Sequence, residues 1–105
     1  MFSYIVTMDA AWDLDDIDEY VLAYSDIDFV ESLEREFEST FDSLAANPYA
    51  YPEYQFEPPV RTLHRYCSVN VYNYEVFYYV DEARGLVVIS RICHKLADFT
   101  RRGMW

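Results

Sequence analysis

With 105 residues and a formal net charge of −11, the sequence has room for one domain, residues 1–105, and not for two. An apolar share of 52% and an aromatic share of 19% exclude disorder, and two glycines with four prolines exclude collagen-like or low-complexity character. No uncharged apolar run approaches the ~18 residues of a membrane-spanning helix, the N-terminus lacks a secretory pattern, and two cysteines make no disulfide framework, so the expectation is a reduced cytoplasmic protein.

The charge is lopsided. Residues 1–57 carry 15 acids against Arg35 alone, a local balance of −14, whereas residues 58–105 carry +3. The first half should repel nucleic acid, and the second could attract an anion weakly.

In chain order, Ser3–Thr7 reads as a short strand. Asp9 is placed to cap a helix whose apolar face is Leu14, Ile17, Val21 and Tyr24, widened by Tyr20. Ser25, with Asp28 three residues on, resembles a cap for a second helix. Its stripe is Val30, Leu33, Phe37, Phe41 and Leu44, and Asn47-Pro48 ends it. Residues 48–59 form a Pro- and aromatic-rich loop whose Tyr49, Tyr51, Tyr54 and Phe56 are expected to tuck against the domain edge. Val60–His64 is a strand candidate, Ser68–Val80 a long β-rich run, and Leu86–Ile92 a third. Asp81–Gly85 makes the turn between the last two, with Gly85 suited to positive φ. The order β-α-α-β-β-β implies an α+β fold, a mostly antiparallel sheet with a helical hairpin packed on one face.

No Gly-rich phosphate loop or nucleophile elbow is present. His64-x-x-Cys67 and Cys93-His94 supply a zinc ligand set, but adjacent strand residues point to opposite faces, so no metal or other cofactor is expected. A second set is Arg61, His64, Arg65, Arg91, His94 and Lys95, gathered at the second strand and the end of the last. RNA cleavage needs a base for the 2′-OH, cations for the phosphate and an acid for the leaving oxygen, and Arg with His can supply all three. The same residues on a sheet surface equally face water or pair with nearby acids. Eleven tyrosines suit a homodimer interface, or simply an exposed sheet face.

Several local patterns, in order, resemble the RelE/ParE family of bacterial toxins over about residues 3–99. They are Ile5-Val6-Thr7 followed by Ala11, Leu14, Ile17 and Tyr20, then Phe41-x-x-Leu44-Ala45-x-Asn47-Pro48. Val60-Arg61-Thr62-Leu63, Asn73 through Glu82, and Val87 through His94 to Asp98 continue them. The resemblance implies a toxin that arrests growth and is neutralised by a cognate antitoxin. RelE-like members cut messenger RNA on the ribosome, and ParE-like members poison DNA gyrase. Residue by residue it places Arg61 at the start of the second strand, Tyr74 on the third, and Arg91 and His94 in an Arg-x-x-His near the last strand's end. Arg61, Arg91 and His94 are then the catalytic candidates, with His64, Arg65, Tyr74 and Lys95 binding substrate. Where the nucleases commonly carry arginine after the tyrosine, this chain has Glu75. The alternative is a non-catalytic interaction module on the same scaffold. Its acidic helices, with Glu31, Glu34 and Glu38, would bind a basic partner, and any antitoxin should be unusually basic.

Overall fold

The computed structural model describes residues 1–100 and 104–105. Arg101 and Arg102, part of the basic excess of the second half, lie outside the described residues. The elements are β1 (Ser3–Val6), α1 (Met8–Tyr24), α2 (Ile27–Ala46), β2 (Cys67–Val71), β3 (Tyr74–Asp81) and β4 (Leu86–His94). No helix is long and apolar enough to cross a membrane among the described residues.

Both helix starts fall one or two residues from the expected caps. Thr7, not Asp9, caps α1: its hydroxyl accepts from the Ala10 N–H at 3.2 Å and donates to the Ser90 carbonyl at 3.0 Å. A single hydroxyl thus caps the helix and ties it to β4. Asp26, not Ser25, caps α2, its carboxylate accepting from the Phe29 N–H at 2.9 Å, because Ser25 is already the last residue of the α1 end. The α2 stripe of Val30, Leu33, Phe37, Phe41 and Leu44 is buried throughout. On α1 the buried face closes at Val21. Tyr20 and Tyr24 stand in solvent, their rings 4.8 Å apart.

The sheet order is β1-β4-β3-β2, with β1 parallel to β4 and the other pairs antiparallel. The expected order of elements holds, but two strands are not where the sequence placed them. Val60–His64 is not a strand, so Arg61 opens none. Pro58 and Pro59 just before it have no N–H to donate to a ladder. Instead the long run 68–80 divides. Val71 pairs with Tyr74, leaving Tyr72-Asn73 as a two-residue hairpin loop, and Tyr72 takes the left-handed backbone conformation the loop needs (φ 52°). The β3–β4 turn follows expectation, with Gly85 at φ 64°.

The strand alternation sorts the side chains onto two faces. Tyr74, Val76 and Tyr78 of β3 and Val87, Ile89 and Ile92 of β4 face the helices and share a core with their stripes. Phe77 and Cys93 face the other way, into a second cluster with Tyr66. Between Phe77↔Arg91 and Tyr78↔Ile89 the register slips, so Ser90 is an extra residue on β4. This bulge is why Ile92 returns to the helix side although it lies three residues from Ile89.

Candidate functional site

β1 is four residues long and β4 nine, so β1 covers β4 only through Ile89. The remaining edge of β4 needs other partners, and α1 supplies them. The Thr7 N–H bonds to the Ile89 carbonyl at 3.0 Å, and the Asp13 carboxylate accepts from the Ile92 N–H at 2.9 Å. The same carboxylate holds Arg91 in a fork, Nε at 2.9 Å and a terminal nitrogen at 3.2 Å. Both side chains are largely buried, 25% and 16% exposed. Hydrogen bonding to Asp13 raises the Arg91 pKa further above its ordinary value. Two of the Arg91 nitrogens are therefore engaged by a carboxylate of the chain itself.

His94 pairs with Tyr74 across β3 and β4, ring edge to face at 5.7 Å. Its Nδ1 accepts from the Leu96 N–H at 3.1 Å. Both residues line a cavity of ≈ 620 Å³ between α1 and the strand ends, shared with Asp13, Asp16, Ile17, Tyr20, Asn73 and Ile92. Burial, then the neighbouring Tyr20, raises the Tyr74 pKa.

The other predicted residues lie elsewhere. His64 stacks flat on Tyr79, centroids 3.7 Å apart, and Arg65 pairs with Glu53 at 2.8 Å. Those two line a separate cavity of ≈ 690 Å³ with Arg84, Asp81 and Glu82. Arg61 is exposed in the irregular segment before β2. Lys95 follows β4, its N–H bonded to the Asn73 carbonyl at 2.9 Å, and lines a third cavity beside Glu57, Asp98 and Thr100. So the structure brings Tyr74 and His94 together with Asp13, to which Arg91 is fastened. It does not bring His64, Arg65, Arg61 or Lys95 to them.

The sheet face away from the helices is filled from within. Phe77 lies at its centre, with Trp105 at 4.6 Å, Tyr54 at 5.0 Å, Phe99 at 5.1 Å and Phe56 at 6.1 Å between ring centroids. The Trp105 indole N–H donates to the Phe99 carbonyl at 2.6 Å. Glu75 sits among these residues with a hydrogen bond from the Ser68 hydroxyl at 2.7 Å. Of the loop aromatics, Tyr54 and Phe56 tuck in as expected, whereas Tyr49 and Tyr51 are exposed.

Residues 4–99 match the family described as ParE toxin of type II toxin–antitoxin system, parDE. The chain belongs to the ParE toxin family. It is the toxin component of a type II toxin–antitoxin system. Its fold is shared with a chain in the crystal structure of the RelBE2 toxin–antitoxin complex from Mycobacterium tuberculosis, at 22% identity and a TM-score of 0.58, over 89% of this chain and 96% of that one. No curated protein matches it by sequence.

Two features of this ParE-family toxin escaped the sequence reading. Asp13 is one of several acids along α1, and nothing local marks it as the partner of Arg91, 78 residues away. The aromatic closure of the second face was half visible in Tyr54 and Phe56, but Phe99 and Trp105 carry no periodic pattern. The thiols are unsuited to a shared metal. Cys67 packs against the helix-side core, Cys93 belongs to the second cluster, and burial pushes the Cys93 thiol up to about 11. Among the described residues no three His, Cys, Asp or Glu side chains are grouped to hold a metal.

Proposed function

We propose that this toxin arrests growth by binding a protein target, as ParE-like toxins do with DNA gyrase, and not by cutting RNA. The observation that carries this reading is the Asp13 carboxylate. It occupies Arg91, and with Asp16 it lines the cavity that holds His94. A phosphodiester approaching His94 would meet carboxylates where cleavage needs unengaged cations. Glu75 adds a further negative charge on the opposite sheet face, which is already packed with aromatic rings. The net charge of −11 opposes association with ribosomal RNA. A cognate antitoxin is the second partner, by family membership and by likeness to a toxin solved with its antitoxin.

The test is to express the full chain alone in a bacterium and follow growth, then to assay purified protein for DNA supercoiling by gyrase and for cleavage of ribosome-bound messenger RNA. Growth arrest with inhibited supercoiling and intact messenger RNA is expected. Ribosome-dependent cleavage that disappears in His94→Ala or Arg61→Ala would overturn the reading.

A further inference from the structure

We infer that the cavity between α1 and the ends of β3 and β4 receives a cationic side chain, an arginine or lysine, presented by a protein partner. This rests on the reading that the toxin works through protein contacts.

The cavity has an aliphatic floor, Ile17 and Ile92, and aromatic walls, Tyr20 and Tyr74. Tyr20 is 63% exposed although it lies beside the apolar stripe of α1, so its ring is free to cover a guest. Asp13 is already satisfied by three N–H groups, from Arg91 and Ile92. Asp16, exposed on the next turn, is then the carboxylate left for a guest. α1 contains no Lys or Arg to pair with Asp16. An anionic guest is repelled. A purely apolar guest would cover the tyrosines but strip water from Asp16 with nothing in exchange. A long aliphatic stem ending in a cation meets both demands: the stem lies on the rings and the charge reaches Asp16. The surface continues beyond the cavity through Tyr24, whose ring is tilted at 45° against that of Tyr20. The charge of this region matches the basic antitoxin expected from the composition.

The experiment is an NMR titration of the full, ¹⁵N-labelled chain with N-acetyl-arginine N-methylamide, its neutral isostere N-acetyl-citrulline N-methylamide, and inorganic phosphate. The arginine probe should move the amides of Ile17, Tyr20, Tyr74 and Ile92 with a Kd on the order of 1 mM, as for a fragment of its size. The citrulline probe, which lacks the charge and carries a carbonyl in place of one nitrogen donor, should bind at least about fivefold more weakly. Asp16→Asn and Tyr20→Leu, both at exposed positions, should each weaken the arginine probe several-fold, while Asp42→Asn on α2 should leave it unchanged. Equal binding of arginine and citrulline, equal losses in Asp16→Asn and Asp42→Asn, or phosphate moving the same amides would each overturn the inference. The outcomes separate from those of the proposed function. Growth arrest without RNA cleavage, together with a silent arginine probe, removes only the cationic guest. Phosphate binding here, together with RNA cleavage, removes both.

Discussion

The two faces of the sheet are closed by different means. On one, residues spaced three and four apart along α2, with Ile17 and Val21 of α1, lie over alternate residues of β3 and β4. On the other, Tyr54, Phe56, Tyr66, Phe99 and Trp105 come from irregular segments separated by the whole of the β2–β4 sheet and converge on Phe77. The first face is a regular design that any amphipathic helix could satisfy. The second is an assembly of large rings, in which each ring supplies much area at little entropic cost. The difference bears on function. A sheet face filled by its own chain leaves little open groove there, whereas the edge where α1 meets the strand ends carries a cavity.

The largest effect should come from the centre of the second face. Phe77→Ala is expected to destabilise the fold by about 4 kcal/mol, as much as the most costly truncations on the helix side such as Leu33→Ala, because both residues are essentially inaccessible. Trp105→Ala, at a half-buried ring, should cost about 2 kcal/mol. Urea unfolding checks the pair. If Trp105→Ala costs nothing, the loop alone closes this face and the C-terminal segment is an ornament on it.

Cys93 offers a way to titrate the same cluster. Burial holds its thiol pKa at about 11, against 9.0 for an ordinary thiol. Between those values the unfolded chain has already lost the proton that the folded chain keeps, so stability falls as pH rises from 9 to 11. At about 1.4 kcal/mol per pH unit the loss attributable to this thiol has a ceiling of ~3 kcal/mol. Cys93→Val should flatten the pH dependence of the urea midpoint across that interval, whereas Cys67→Val should flatten it less. Identical curves for wild type and Cys93→Val would show that the second cluster admits water.

The faces also differ in how much of each could be read in advance. The α2 stripe, the Gly85 turn and the order of elements were legible because each rests on a local rule: a period, a positive φ, a chain of turn residues. The position of the second strand was not. Tyr72-Asn73 carries no glycine, and a tyrosine at positive φ is uncommon enough that the run 68–80 reads as continuous. The candidate site suffered the same way at longer range. Arg91 and His94 belong to one short motif, which held them together on β4. Arg61, His64 and Arg65 were joined to them through a strand that does not form, and so they fall elsewhere.

The edge between the two faces can be dissected through Asp13. Arg91→Ala removes one ion pair but leaves the carboxylate bonded to the Ile92 N–H, so it should cost about 1–2 kcal/mol. Asp13→Ala also strands that backbone N–H and leaves Arg91 half-buried without its partner, and should cost about 2–3 kcal/mol. Asp13→Ala being the milder of the two would mean that water replaces the carboxylate on the Ile92 N–H.

The smallest effect, and the one of uncertain direction in most proteins, has a definite sign here. Tyr78 is inaccessible on the helix-side face, and among the described residues its hydroxyl makes no hydrogen bond to an oxygen or nitrogen. Burial raises its pKa, with smaller contributions from the Cys67 thiol and Tyr51. A thiol is a weak partner, so most of the cost of desolvating the hydroxyl is unrecovered. Tyr78→Phe removes that cost and leaves the ring in place, with only an atom-sized gap beside Cys67. The variant should be as stable as wild type or more stable by up to ~1 kcal/mol. The same substitution at Tyr66, whose hydroxyl lies near Ser90, should instead destabilise by up to ~1 kcal/mol. A loss above that in Tyr78→Phe would reveal a hydrogen bond to Cys67 strong enough to matter, and would make the helix-side face, like the other, dependent on a polar contact that no periodicity announces.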